Sequence, residues 1–140
     1  MNVKRIVATA AILATGLGTA VATAPAASAA TIGTCTYNYA CLFYNSSNYN
    51  LGAQFQHESD INDYAGAYFS AGQYGSSGAG VEVKNHAASV ANGDRYWQVT
   101  IWERSGTTPW GNHNIIRPGA FADLGVVKND NAAGTWQYAG

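Results

Sequence analysis

The stretch Val83-Lys84-Asn85-His86-Ala87-Ala88-Ser89-Val90 returns 44 residues later as Val127-Lys128-Asn129-Asp130-Asn131-Ala132-Ala133-Gly134. The second copy reads with one extra residue between its asparagine and its Ala-Ala pair. Upstream, Leu42-Phe43-Tyr44-Asn45 answers Thr100-Ile101-Trp102-Glu103. Each half thus runs from an aromatic-ended strand, through a glycine-containing turn, to a Lys-Asn segment that closes the unit. A unit of this length holds about four short strands, enough for one Greek key. Alone it would leave an apolar face in water, so two such units must pack their faces into a sandwich.

The local patterns agree with an all-β fold. Beyond residue 30 no stretch carries a helical period, and short β-rich runs alternate with Gly, Asn, Ser and Pro clusters. Residues 96–102 form the clearest strand, with Trp97, Val99 and Ile101 on one face and Gln98, Thr100 and Trp102 on the other. Residues 41–44 read as another. Shorter strands are expected at 54–56, 68–69, 81–84, 115–117, 126–128 and 135–138. Residues 70–80 are glycine- and serine-rich, have nothing to bury, and read as a loop.

The N-terminus reads as an export signal. Lys4 and Arg5 supply positive charge, residues 6–21 are apolar apart from threonines and glycines, and small residues lead to Ala27-Ser28-Ala29. The segment is too rich in Ala, Thr and Gly for a membrane span. Residues 1–29 are therefore expected to be a cleaved signal peptide. Residues 30–140 are expected to be one secreted domain with no membrane attachment. Without Lys4 and Arg5, five Lys/Arg stand against eight Asp/Glu. Five scattered cations form no phosphate-binding cluster, which argues against nucleic acid as a partner. In an exported chain the two cysteines, Cys35 and Cys41, read as a disulfide. Its short loop should contribute about 2 kcal/mol.

At these residues the chain resembles the βγ-crystallin family, and more closely the secreted bacterial peptidase-inhibitor family built on that fold. Tyr44 leads to Tyr49-Asn50-Leu51-Gly52, one residue longer than the usual aromatic-x-Gly. Trp102-Glu103 leads to Trp110-Gly111 through a turn holding Pro109. Cys35…Cys41-Leu42-Phe43-Tyr44 is similar to that family's cysteine-bracketed start. The resemblance implies two Greek-key motifs packed as a βγ-crystallin-like sandwich. It also raises two functions, calcium binding and inhibition of an extracellular peptidase, a metallopeptidase by family association.

Calcium demands several hard oxygen ligands. The family motif is an Asn/Asp pair, two variable residues, then Ser/Thr-Ser. Asn129 and Asp130 supply a pair in the second half, but Ala133 removes the hydroxyl. In the first half the motif opens on Lys84 or Asn85, and His86 and Ala88 weaken it. The expectation is no cofactor, with Asn129 and Asp130 a degenerate calcium motif at most. Catalytic signatures are also missing: His57-Glu58-Ser59-Asp60 lacks a second histidine, and no G-x-S-x-G occurs. Glu58, Asp60 and Asp63 read as a solvated acidic loop, and the chain is expected not to be an enzyme.

An inhibitor needs only a rigid scaffold presenting a loop to the peptidase cleft. Residues 45–52, 70–80 and 106–111 are the candidate loops. Within the last, Thr107, Thr108, Pro109 and Trp110 are the stiffest set and end in an aromatic anchor. The rival reading is a carbohydrate or cell-wall binding module, with Trp102, Trp110 and Tyr49 as sugar-stacking candidates. A crystallin-fold toxin is a third.

Overall fold

The computed structural model describes residues 35–140; the expected signal peptide, residues 1–29, lies outside the described residues. Seven strands follow in order: β1 (Ala40–Phe43), β2 (Gln54–His57), β3 (Ser89–Asn92), β4 (Trp97–Arg104), β5 (Trp110–Ile116), β6 (Phe121–Asp123) and β7 (Ala133–Tyr138). They form two antiparallel sheets, ordered β2-β1-β3-β6 and β5-β4-β7. The expected sandwich of two Greek keys is what the chain builds.

The two keys are interlocked. By sequence β6 belongs to the second half, yet it pairs with β3 of the first, Val90 facing Ala122. Reciprocally, Ile61 of the first half bridges Gly134 in β7, with both backbone bonds at 2.9 Å. Each half therefore lends its third extended segment to the other's sheet. Between the sheets lie Ala40, Leu42 and Val90 from one and Val99, Ile101 and Ile116 from the other, together with Tyr64, Phe69, Val83, Leu124 and Val127. A smaller cluster outside the first sheet gathers Cys41, Phe43, Leu51 and Ala91. The Cys35–Cys41 disulfide ties the N-terminal turn to it.

The repeat is more regular in space than in sequence. Ala88 N–H donates to the Phe43 carbonyl and Ala132 N–H to that of Trp102; Leu124 N–H donates to Ala88 and Tyr64 N–H to Ala132. Asn85 N–H bonds the Asn131 carbonyl, and Asn129 N–H bonds that of Ala87. These pairs make Ala88 equivalent to Ala132 and Asn85 to Asn129, so the spacing stays at 44 and the extra residue disappears. Both asparagines take the left-handed conformation, with φ of 63° and 57°. Phe43, not Tyr44, is then the partner of Trp102. The Ala-Ala match misled because one small residue substitutes for another at little cost, whereas the backbone bonds tolerate no slip.

Several strand expectations need correction. Residues 126–128 form a turn that buries Val127 and leaves Val126 outside. The 115–117 strand starts earlier, at Trp110, and residues 68–69 and 81–84 make only isolated bridges. β3 and β6 carried no alternation long enough to be read. Trp97 shares a face with Val99 and Ile101 but overhangs the core, 44% exposed, against the Tyr138 ring at 5.6 Å. Residues 70–80 are a loop, yet not an idle one. Ser70 and Gln54 exchange backbone bonds of 2.8 and 2.9 Å, and Ala53 N–H bonds Ser77. Gly78, at φ +86°, lies so close to the Tyr44 ring that a Cβ would collide with it. The loop thereby covers the edge of β2.

Asn131 is wholly buried where the two repeats meet. Its Oδ1 accepts Ala87 N–H and its Nδ2 donates to the Val83 carbonyl, both at 2.9 Å. Asn131→Ala would strand both backbone groups and should cost about 2–4 kcal/mol in denaturant unfolding. Asn129→Gly, at an exposed left-handed position, should lie within about 0.5 kcal/mol of the parent.

Candidate functional site

The turn from β4 to β5 carries Thr107, Thr108, Pro109 and Trp110 at the surface. Trp110 is 63% exposed and belongs to neither core cluster. Among the described residues its ring partner is Arg104, whose guanidinium lies 5.9 Å from the ring centre. The turn has no disulfide, but Glu103 braces it. One Glu103 oxygen accepts Arg104 Nη2 at 2.8 Å and the other accepts Asn112 N–H at 3.0 Å. Across the base, Gly106 N–H bonds the Asn62 carbonyl at 2.9 Å. Glu103 was not singled out from sequence, because nothing local marks a carboxylate as a clamp for a turn nine residues on. Of the other sugar-stacking candidates, Trp102 is half-buried, donating Nε1–H to Thr135 Oγ1 at 2.9 Å and resting on His113. Tyr49 projects from the 3-10 turn after β1, on a different part of the surface.

The Lys-Asn segments sit at loop crossings between the keys. Lys84 Nζ lies 2.8 Å from Asp63 Oδ1 and donates to Ser105 Oγ at 3.2 Å. That charge-assisted bond from Lys84, with a second from Ala65 N–H, holds the Asp63 carboxyl below its ordinary range. Lys128 and Asn129 border a hollow of about 300 Å³ with Tyr44, Asn45, Ser46 and Tyr49. Asp130 is exposed and does not line it. Asp123 accepts N–H and Oγ–H from Ser47, the neighbour of the hollow's Ser46, at 2.9 and 2.7 Å, so its oxygens are also engaged.

The histidines have separate settings. His57 is buried in β2; its Nδ1 is 2.8 Å from the Ser59 carbonyl, which can only accept, so Nδ1 carries the proton. Nε2 is then the acceptor of the Tyr64 hydroxyl at 3.0 Å. Burial pushes the His57 pKa down and the Tyr64 pKa up. Gly134 makes this contact feasible, since a Cβ there would collide with the Tyr64 hydroxyl. His86 faces the Lys84 carbonyl on the surface, and His113 stacks on Trp102. Asp63 has left the acidic group read from sequence to pair with Lys84, while Glu58 and Asp60 remain at the other end of that segment. Among the described residues no three His, Cys, Asp or Glu converge as a metal site, and no helix is long and apolar enough to cross a membrane.

No protein-family model matches the sequence, and no curated protein does. A solved structure described as "Evolution of the eye lens beta-gamma-crystallin domain fold" is similar, with a TM-score of 0.55 and 9% identity. The match covers 77% of this chain and 93% of that one. Two interlocked Greek keys together with this likeness make the fold of the βγ-crystallin type.

The resemblance read from the sequence raises calcium, and these crossings offer it few anionic oxygens. Equivalent lysines, Lys84 and Lys128, stand at both crossings. One ammonium already pairs with the Asp63 carboxylate, and among the described residues no carboxylate lines the hollow beside the other. The thermal midpoint should therefore move by less than about 1 °C between calcium and chelator, because a ligand stabilises only in proportion to its binding. A separate prediction concerns pH. The unfolded chain's His57 protonates near 6.5, while the folded protein keeps it neutral to lower pH. As pH falls through that value the unfolded state alone gains the proton. Stability should then decline by up to about 1.4 kcal/mol per pH unit. Denaturant titrations of His57→Gln should show a shallower decline over the same range.

Proposed function

We propose that this chain is an exported, non-catalytic binding protein that inhibits an extracellular peptidase through the β4–β5 turn. The observation that carries the reading is Trp110, a large aromatic side chain held outside the core on a hydrogen-bonded turn. Such a residue loses little freedom on binding, since Gly106 and Glu103 already fix the turn at both ends. Pro109 restricts the backbone just before the anchor. Thr107 and Thr108 supply hydroxyls to satisfy polar groups of a cleft wall. A metallopeptidase is the preferred target class, on the strength of the family resemblance. The disulfide between Cys35 and Cys41 suits export.

The test is inhibition of purified secreted metallo-, serine and cysteine peptidases by residues 30–140. A buried tryptophan anchor is commonly worth over 2 kcal/mol of binding, so Trp110→Ala should weaken inhibition more than about tenfold. Its thermal midpoint should stay within about 1 °C of the parent, as expected for a side chain outside the core. Absence of inhibition at micromolar protein, or full potency in the variant, would refute the reading.

A further inference from the structure

The far end of β4 presents a second site, independent of the turn. Trp97 opens the strand and Arg104 closes it, so the two ends lie about 23 Å apart along it. Around Trp97 opens a cleft of about 860 Å³. Three carboxylates line it: Glu58, Asp60 and Asp94. Among the described residues no lysine or arginine does. Four aromatic rings complete the wall, those of Tyr37, Tyr96, Trp97 and Trp136.

This is a built arrangement, not a chance acidic surface. Asp94 is 9% exposed, and its Oδ1 accepts Tyr96 N–H at 2.7 Å and Trp97 N–H at 2.8 Å. That one carboxylate therefore sets the backbone of both aromatic residues. Asp60 Oδ1 likewise accepts Trp136 N–H at 2.7 Å. The Trp136 ring is held edge-to-face against buried His57, 5.9 Å between centres, and its indole Nε1 has no hydrogen-bond partner. Tyr37, Tyr96 and Trp97 remain about half exposed, an unusual amount of ring surface to leave in water around one cavity. None of the three carboxylates forms an ion pair among the described residues. The neighbouring cation, Arg95, lies over the ring of Tyr37, itself part of the cleft wall, at 5.2 Å and pairs with none of the three.

We propose that this cleft binds a cationic oligosaccharide of amino-sugar units. Unpaired carboxylates in a partly enclosed cleft call for a cation, and the ring faces call for flat C–H surfaces to stack upon. A neutral glycan would use the rings and leave the carboxylates unmatched. A single basic side chain would match one carboxylate and leave most of a cleft of this volume to water. A chain of hexosamine rings, each carrying an ammonium group, meets several carboxylates and several rings together. Asn38 and Ser59, which also line the cleft, are placed to bond ring hydroxyls.

Titration calorimetry at about pH 6 uses three probes of equal length: a glucosamine hexamer, its N-acetylated form and hexalysine. The glucosamine hexamer is expected to bind at least about tenfold more tightly than the acetylated form, because only it carries charge to pair with the carboxylates. Glu58→Gln, at a side chain with no partner among the described residues, should weaken that binding about three- to tenfold and reduce its salt dependence. Trp97→Ala should weaken it about tenfold by removing a stacking face. Equal binding of the acetylated hexamer would overturn the proposal. So would binding of hexalysine alone, or of no probe. Unchanged binding by a folded Glu58→Gln protein would also overturn it.

Discussion

The domain depends on one exchange: each Greek key gives its third extended segment to the other key's sheet. Ile61 lies beside Gly134 of β7, and β6 lies beside β3. Withdrawing either segment would expose the backbone edge of a sheet and open the core over Tyr64 or Leu124, both fully buried. Neither key can therefore reach its final hydrogen bonding alone, and the halves must form as one cooperative unit. Asn131 sits at the centre of this exchange and bonds backbone that belongs to the other repeat. A side-chain amide performs there what a further strand bond would perform in a regular sheet.

The exchange also explains two sequence features that would otherwise read as defects. Gly134 interrupts a strand, where glycine is unfavourable, because the Tyr64 hydroxyl and the His57 ring occupy the space of its Cβ. The lysines of the repeat stand immediately before its two equivalent left-handed asparagines, Asn85 and Asn129. At the first crossing an ammonium from one key reaches Asp63 of the same key and Ser105 of the other. A covalently attached cation there joins loops of the two keys.

The rigid β4 strand separates the two ends of the second sheet. At one end, Glu103 stiffens a turn with an exposed indole. At the other, Asp94 and Asp60 stiffen a cleft rich in rings. In both places a carboxylate accepts backbone N–H groups, which limits motion where side chains are left unburied. The fold thus supplies stiffness at both ends and leaves their chemistry to the side chains.

The all-β class, the two-fold repeat, the Cys35–Cys41 bridge and the strand around Val99 and Ile101 were legible in the sequence. These follow from alternation, turn residues and short spacings, which act between near neighbours in the chain. Trp110 was also legible as a candidate, since Pro109 and the flanking glycines mark its turn. The register of the repeat was not, because Ala87, Ala88, Ala132 and Ala133 are interchangeable as letters and only backbone bonds to Phe43 and Trp102 distinguish them. Nor was the cleft: Tyr37, Glu58, Asp94 and Trp136 come from four separate segments. What neighbours along the chain settle, the sequence determined; the exchanged segments, the fate of Lys84 and the cleft arose only when distant segments met and paired their buried polar groups.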